Sequence, residues 1–206
     1  MTKSLSPRSK PIQNRARLQR DKILKVTSQL LKTVGLDELT TILVAKKVGV
    51  SVGTLYHYFP NKHAILYALA ELWFDSISSL ISEIESQNLN EMQLKSFVNL
   101  LVDRIAGVYK DNSSLLPLVA VMGSMPELEK INSDYLSHIH SKFASILKAL
   151  PLSLTDDDVD HMSVFYWQIC HSLLASVYCG HVDETKSLAD LKYLLMSLLE
   201  RARTNF

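Results

Sequence analysis

Apolar residues recur every three to four positions along most of this chain, and no stretch alternates apolar with polar, so the pattern predicts an all-α protein. The first helix is expected from near Arg17 to Val34, with Ile23, Thr27, Leu30, Leu31 and Val34 on one side and Gly35 ending it. Two short patterns follow, over 41–48 (Val44, Ala45, Val48) and 52–58 (Leu55, with Phe59 just beyond). A longer one runs from Lys62 to Ser86 through Leu66, Leu69, Ala70, Trp73, Ile77, Leu80, Ile81 and Ile84. Further helices are predicted over 91–108, near 115–122, from Pro126 to Leu150, from Thr155 to Tyr178 and over 187–203. Pro126 suits a first helical turn, and Thr155 with Asp158 has the spacing of a capping box.

Two of these patterns ask for more than one subunit. From Val159 to Tyr178 the eighth helix is apolar nearly all round, which one core cannot cover. In the ninth, Leu188, Leu191, Leu195 and Leu198 follow heptad spacing. A homodimer built on Phe165, Ile169, Leu173, Val177, Leu188, Leu191, Leu195 and Leu198 is therefore expected. The fourth helix is long enough to join the N-terminal part to the rest as one rod.

The segment TTILVAKKVGVSVGTLYHYFPNK, from Thr40 to Lys62, carries the clearest functional signal. Thr40 or Thr41 can cap one helix and Ser51 the next, because a hydroxyl accepts from an orphan backbone N–H. Gly49 falls where the chain must turn with positive φ. Asn61 can cap the helix that follows. The face opposite Leu55 and Phe59 carries Val52, Gly53, Thr54, Tyr56, His57 and Tyr58, small and hydrogen-bonding groups suited to a DNA groove. This is the pattern of a helix-turn-helix.

With the Thr pair, Ala45, Gly49, Ser51, Gly53, Leu55-Tyr56, Phe59 and Lys62 in this order, the stretch resembles the DNA-binding domain of the TetR family of bacterial regulators. The likeness extends over about residues 17–69, roughly a quarter of the chain. It implies a three-helix DNA-binding domain joined through helix 4 to a helical ligand-binding and dimerisation domain, acting as a homodimer on a palindromic double-stranded operator. It also implies roles. Thr41 and Ser51 would anchor helix starts on phosphates, although capping alone explains both. Gly53 would permit close approach, and Val52, Thr54 and His57 would meet base edges. Tyr56, Tyr58 and Lys62 would reach phosphates. Helix 3 has no Arg or Gln for bidentate guanine reading, so methyl contacts, DNA shape and half-site spacing are expected to contribute.

Charge sharpens the picture. The net charge is only +1, yet residues 1–62 hold 12 Lys and Arg against 3 Asp and Glu, and the remainder 10 against 18. A basic head of +9 on an acidic body of −8 favours phosphate at one end alone. The chain thus divides into a basic arm, 1–16, expected to be disordered, a helix-turn-helix domain, 17–62, and a helical body, 63–206. The N-terminal residues lack the apolar segment of a signal peptide, and no run of about 20 apolar residues is free of charge, so a cytoplasmic protein is expected. Cys170 and Cys179 lie about 13 Å apart along one helix, out of phase, and read as small core residues.

Other chemistry is thin. Asp156, Asp158 and Asp160 begin like a calcium loop, but His161 and Trp167 stand where Gly and Glu are needed. His138 and His140 point apart, as do His161, His171 and His181. There is no phosphate-binding glycine loop and no nucleophile elbow, so neither an enzyme nor a cofactor is expected. A small, apolar effector is implied by the family resemblance. Trp73, Phe97, Leu101, Tyr109, Met122, Tyr135, His138, Phe165, Tyr166 and His171 are the candidates to line its pocket, and each serves equally as ordinary core. The expected protein is a repressor released by that effector. The rivals are a DNA-binding protein answering to a protein partner or to nothing, and a helical interaction protein without DNA binding.

Overall fold

A computed structural model describes the backbone of residues 9–204 and the side chains of 14–203. Nine α-helices follow one another among these residues: α1 (Ser9–Val34), α2 (Thr41–Val48), α3 (Val52–Tyr58), α4 (Lys62–Glu85), α5 (Leu94–Asp111), α6 (Leu116–Val119), α7 (Pro126–Ala149), α8 (Asp156–Tyr178) and α9 (Glu184–Thr204). Single 3-10 turns at Leu89–Glu91, Ser113–Leu115 and Met122–Ser124 link them. The chain forms two compact units, Met1–Leu69 and Ala70–Phe206, with the boundary inside α4.

In the first unit, local chemistry sets most of the helix ends. Gly35, at φ 76°, closes α1 with its N–H on the Leu31 carbonyl. The Thr40 hydroxyl accepts from Leu43 N–H at 3.1 Å and caps α2, while Gly49, at φ 81°, ends it. Ser51 caps α3 by accepting from Thr54 N–H at 3.0 Å, and the Asn61 side chain does the same for α4 through Ala64 N–H. Ile23, Leu24, Leu31, Val44, Leu55 and Leu66 are fully enclosed between these helices. Thr27 joins them because its hydroxyl donates to the Ile23 carbonyl, which removes the cost of burying it. Val34, expected inward, is 38% exposed, since it is the last residue of α1.

The largest difference from the expected boundaries is at the N-terminus, while α5 and α9 differ by about three residues. Helix α1 starts at Ser9, so residues 9–16 of the expected disordered arm are helical. Pro11 does not prevent this, because a first-turn residue has no intrahelical acceptor for its N–H. Residues 1–8 of the arm lie outside the described residues.

The second unit is built from α5, α7, α8, α9 and the rest of α4, packed through Ile77, Ile81, Leu101, Ile105, Ile139, Phe143, Leu174 and Leu195. Thr155 and Asp158 form the expected capping box at the start of α8. Lys142 on α7 pairs with Glu85 on α4 at 2.5 Å, and Lys192 on α9 pairs with Asp103 on α5 at 2.6 Å. The Glu85 carboxyl is held below its usual range, chiefly by the hydrogen bond from Lys142. By length and composition α4 is apolar enough to cross a membrane, which the charge count did not anticipate, but 56% of its apolar window is buried against the protein, as in a core helix.

Candidate nucleic-acid interface

The residues assigned to DNA fall on the outer side of α2 and α3. Ser51, Gly53, Thr54, Tyr56 and His57 are exposed, and Thr41, Val52, Tyr58 and Lys62 are half-buried. Beneath them Leu55 and Phe59 are buried, so α3 is fixed by its apolar side while its polar side faces outward. Arg20 of α1 sits over the Phe59 ring, 5.7 Å from its centroid, a cation–π contact that also brings a guanidinium close to the end of α3.

Hydroxyl pairing organises this face. With Thr40 as the α2 cap, the Thr41 hydroxyl is available to the Tyr56 hydroxyl, 3.2 Å away. The Ser51 and Thr54 hydroxyls share a bond of 2.8 Å. Each pair uses one of its two protons internally and keeps one O–H for an outside acceptor. Thr54 therefore faces outward already tied to Ser51. His57 and Tyr58 meet edge to face at 5.5 Å, which orients the imidazole.

Lys62 has a structural task that the sequence does not reveal. Its Nζ donates to the Leu36 carbonyl at 2.7 Å, fastening the start of α4 to the turn after α1. An ammonium has three donors, so two remain for a phosphate. Lys46 and Lys47, exposed in the last turn of α2, were not singled out in the sequence, because basic residues are ordinary there against the helix dipole. With Arg15, Arg17, Lys22 and Lys25, also exposed, they give this unit its surplus of positive charge.

One comparison with known proteins stops at the edge of this unit. The family described as bacterial regulatory proteins, tetR family, matches residues 23–69. Residues 23–69 thus form a domain of the tetR family. The chain is 28% identical over 134 residues to the nucleoid occlusion factor SlmA of Haemophilus influenzae (strain PittGG), a match covering 63% of the chain and 60% of that protein. It is 44% identical to the class C tetracycline repressor protein of Escherichia coli over 55 residues, 27% of the chain and 25% of that protein. Among solved structures, a TetR transcription regulator from Haloarcula marismortui superposes with TM-score 0.74 at 15% identity, covering 90% of the chain and 98% of that protein. A TetR-family transcriptional regulator from Marinobacter aquaeolei VT8 gives 0.68 at 20%, covering 90% and 91%. The nine-helix TetR fold therefore extends through the body, where sequence likeness is low.

The body residues assigned from sequence separate into groups. Trp73, Phe97, Leu101, Tyr109, Met122, Tyr135 and Tyr166 are buried. His138 and Phe165 are on the surface, so they do not line an interior site; the helical period brings them only to the edge of the inward face. The Tyr166 hydroxyl donates to the Leu195 carbonyl at 2.6 Å and ties α8 to α9, a structural task. Tyr109 and His171 share a 2.5 Å hydrogen bond between hydroxyl and Nδ1, and burial holds the imidazole below its usual pKa. Trp73 Nε1 and the Tyr135 hydroxyl are buried without a hydrogen-bond partner. Each such group costs about 1–3 kcal/mol.

Of the expected interface residues, Val177, Leu191 and Leu195 are buried within the subunit and have no surface to offer a partner. Phe165, Ile169, Leu173, Leu188 and Leu198 retain exposed area, and Leu194, outside the heptad set, is 42% exposed. Phe165, Ile169, Leu173 and Leu194, with Ser172 and Ser176, outline an apolar groove on α8 and α9. Cys170 is buried, as expected, with its thiol pushed up to about 12, but Cys179, expected in the core, is exposed just after α8.

Proposed function

We propose that this chain is a cytoplasmic homodimeric transcriptional repressor that places α3 of each subunit in a major groove of a palindromic operator. A small molecule in the body would release it. The observation that carries the DNA-binding part is the exposed hydroxyl and imidazole face of α2 and α3, capped and anchored from behind, inside the only strongly basic stretch of the chain. It is the face of a regulator, with binding groups and no reacting ones. Dimerisation is supported by the apolar groove along Phe165, Ile169, Leu173 and Leu194. The effector reading draws on the buried, unpaired polar atoms of Trp73 and Tyr135.

A second reading is favoured by the extent of one similarity. The match to the nucleoid occlusion factor spans 134 residues, well past the helix-turn-helix, whereas the match to the tetracycline repressor stops at 55. On that reading the body binds no small molecule, and the protein answers to a protein partner or to nothing. Fluorescence anisotropy on DNA from upstream of the gene, titrated with salt and competitor, tests the DNA-binding core. Saturable binding that survives competitor and falls steeply with salt is expected. Uniformly weak binding to every sequence would overturn the repressor reading.

A further inference from the structure

Helices α5 and α9 are fastened together by two ion pairs, Lys192 with Asp103 at 2.6 Å and Lys110 with Glu184 at 3.1 Å. Between the first turns of α5 and the second half of α9 lies a half-open cleft of about 360 Å³. Val98, 2% exposed, lines it from α5, and Met196 and Tyr193 line it from α9. Tyr193 is 78% exposed, more than any other large apolar side chain among the described residues. It stands about 100° around α9 from Leu194, so this cleft and the apolar groove on α8 and α9 use different sides of the helix.

Charge sets the cleft apart from the rest of the body. Residues 63–206 hold 10 Lys and Arg against 18 Asp and Glu, yet two lysines, Lys95 and Lys192, line this one place. Among the described residues, Glu200 is the one acid of the lining, and it already has an interaction within the chain. Lys95 is exposed and makes no ion pair or side-chain hydrogen bond among the described residues. It is also the second residue of α5, whose first turn carries no acid, so its charge sits at the positive end of the helix dipole. A lysine there works against the helix, with nothing nearby in the subunit to offset it. A local rule broken in this way is expected where a binding partner supplies the missing charge.

We propose that this cleft docks an acidic segment of a partner protein, with one aliphatic or aromatic side chain seated against Val98, Met196 and Tyr193 and its carboxylates on Lys95 and Lys192. The proposal deepens the partner reading above and rests on it. Lys192 gives one of its three donors to Asp103, which leaves two for a carboxylate. The flexible thioether of Met196 accepts anchors of varied shape, and a tyrosine adds contact area at little entropic cost. A small molecule would stay largely in water at a site this open, whereas a length of chain covers Tyr193 and the lysines together. The two ion pairs hold both walls in place before a partner arrives, which keeps the cost of ordering low.

A random peptide library displayed on phage and panned against the full chain supplies the probes. Enriched peptides should carry a net negative charge and a Leu, Met, Phe or Trp. Synthetic copies should bind the full chain in anisotropy titrations, and more weakly as salt rises. Lys95→Glu should lower that affinity about 3- to 10-fold, because repulsion replaces attraction. The same variant should not lower the melting temperature, since an acid suits the first turn of α5. Tyr193→Ala, at an exposed position, should weaken the peptides by a similar factor while the mass seen by light scattering stays unchanged. Peptides that bind both variants as tightly as the unaltered chain, or that are enriched for basic residues, would overturn this proposal and leave the partner reading standing. No enrichment at all would overturn both. A smaller mass in Tyr193→Ala would assign the cleft to a contact between copies of this chain and also overturn the proposal.

Discussion

At the level of single residues, the proposed DNA face is a matter of which hydrogens and which methyls stand outward. Gly53 allows a clean separation of folding from binding. It lies within α3, and a Cβ built there meets nothing closer than the Ser51 hydroxyl at 3.8 Å. Because Gly53 is the second residue of α3, Gly53→Ala should stabilise the free protein by at most about 0.5 kcal/mol, less than at a mid-helix glycine, while weakening operator binding. Thermal melting and anisotropy on one preparation would check both, and unchanged DNA affinity would remove Gly53 from the interface. Lys62→Ala should weaken binding to all sequences alike and lower the salt slope by about one. Because Lys62 also holds the Leu36 carbonyl, the same variant should melt earlier. A lower melting temperature with an unchanged salt slope would leave Lys62 a purely structural role.

At the level of elements, what the sequence revealed depended on how local the deciding chemistry is. Helices α2 and α3 were readable to the residue, since their ends are set by Gly49, Ser51 and a threonine within a few positions. The start of α1 was not, because polar residues with one proline read alike in a tail and in a first turn. Along α9 the leucine pattern could not tell a subunit's own core from its surface: Leu191 and Leu195 face inward and Leu194 outward, though all belong to one apolar run. The exchange of hydroxyl partners among Thr40, Thr41 and Tyr56 needed coordinates. Helix α8 carries a pH-dependent element through His171, whose folded pKa lies below the ordinary 6.5. Its contribution to stability is complete above that value. It declines as pH falls, because the unfolded chain then takes up a proton that the folded one resists. The melting temperature should drop between about pH 7.5 and 5.5, and less steeply in His171→Asn, with His140 supplying a smaller effect of the same sign. An identical slope in the variant would show that His171 titrates freely.

For the whole molecule, the apolar groove on α8 and α9 is the surface from which assembly is expected. Phe165 is 42% exposed there and stacks on His161 at 5.7 Å. A carboxylate at its position would be left uncompensated at an apolar contact. Phe165→Asp should leave the fold intact and lower the mass seen by light scattering from dimer to monomer. Operator affinity should fall with it, since a lone half-site loses the gain from binding two at once. A dimer that survives this change would place the interface elsewhere.

The two cysteines also differ in a way that opens the molecule to spectroscopy. Cys170 is sealed in the body and its thiol resists ionisation, while Cys179 is exposed at the end of α8. Maleimide dyes and nitroxide labels react with thiolate, so the unaltered chain offers one addressable position per protomer. In an assembled pair this gives two labels at equivalent positions. The distance between them, with and without operator DNA, becomes a ruler that requires no engineered cysteine.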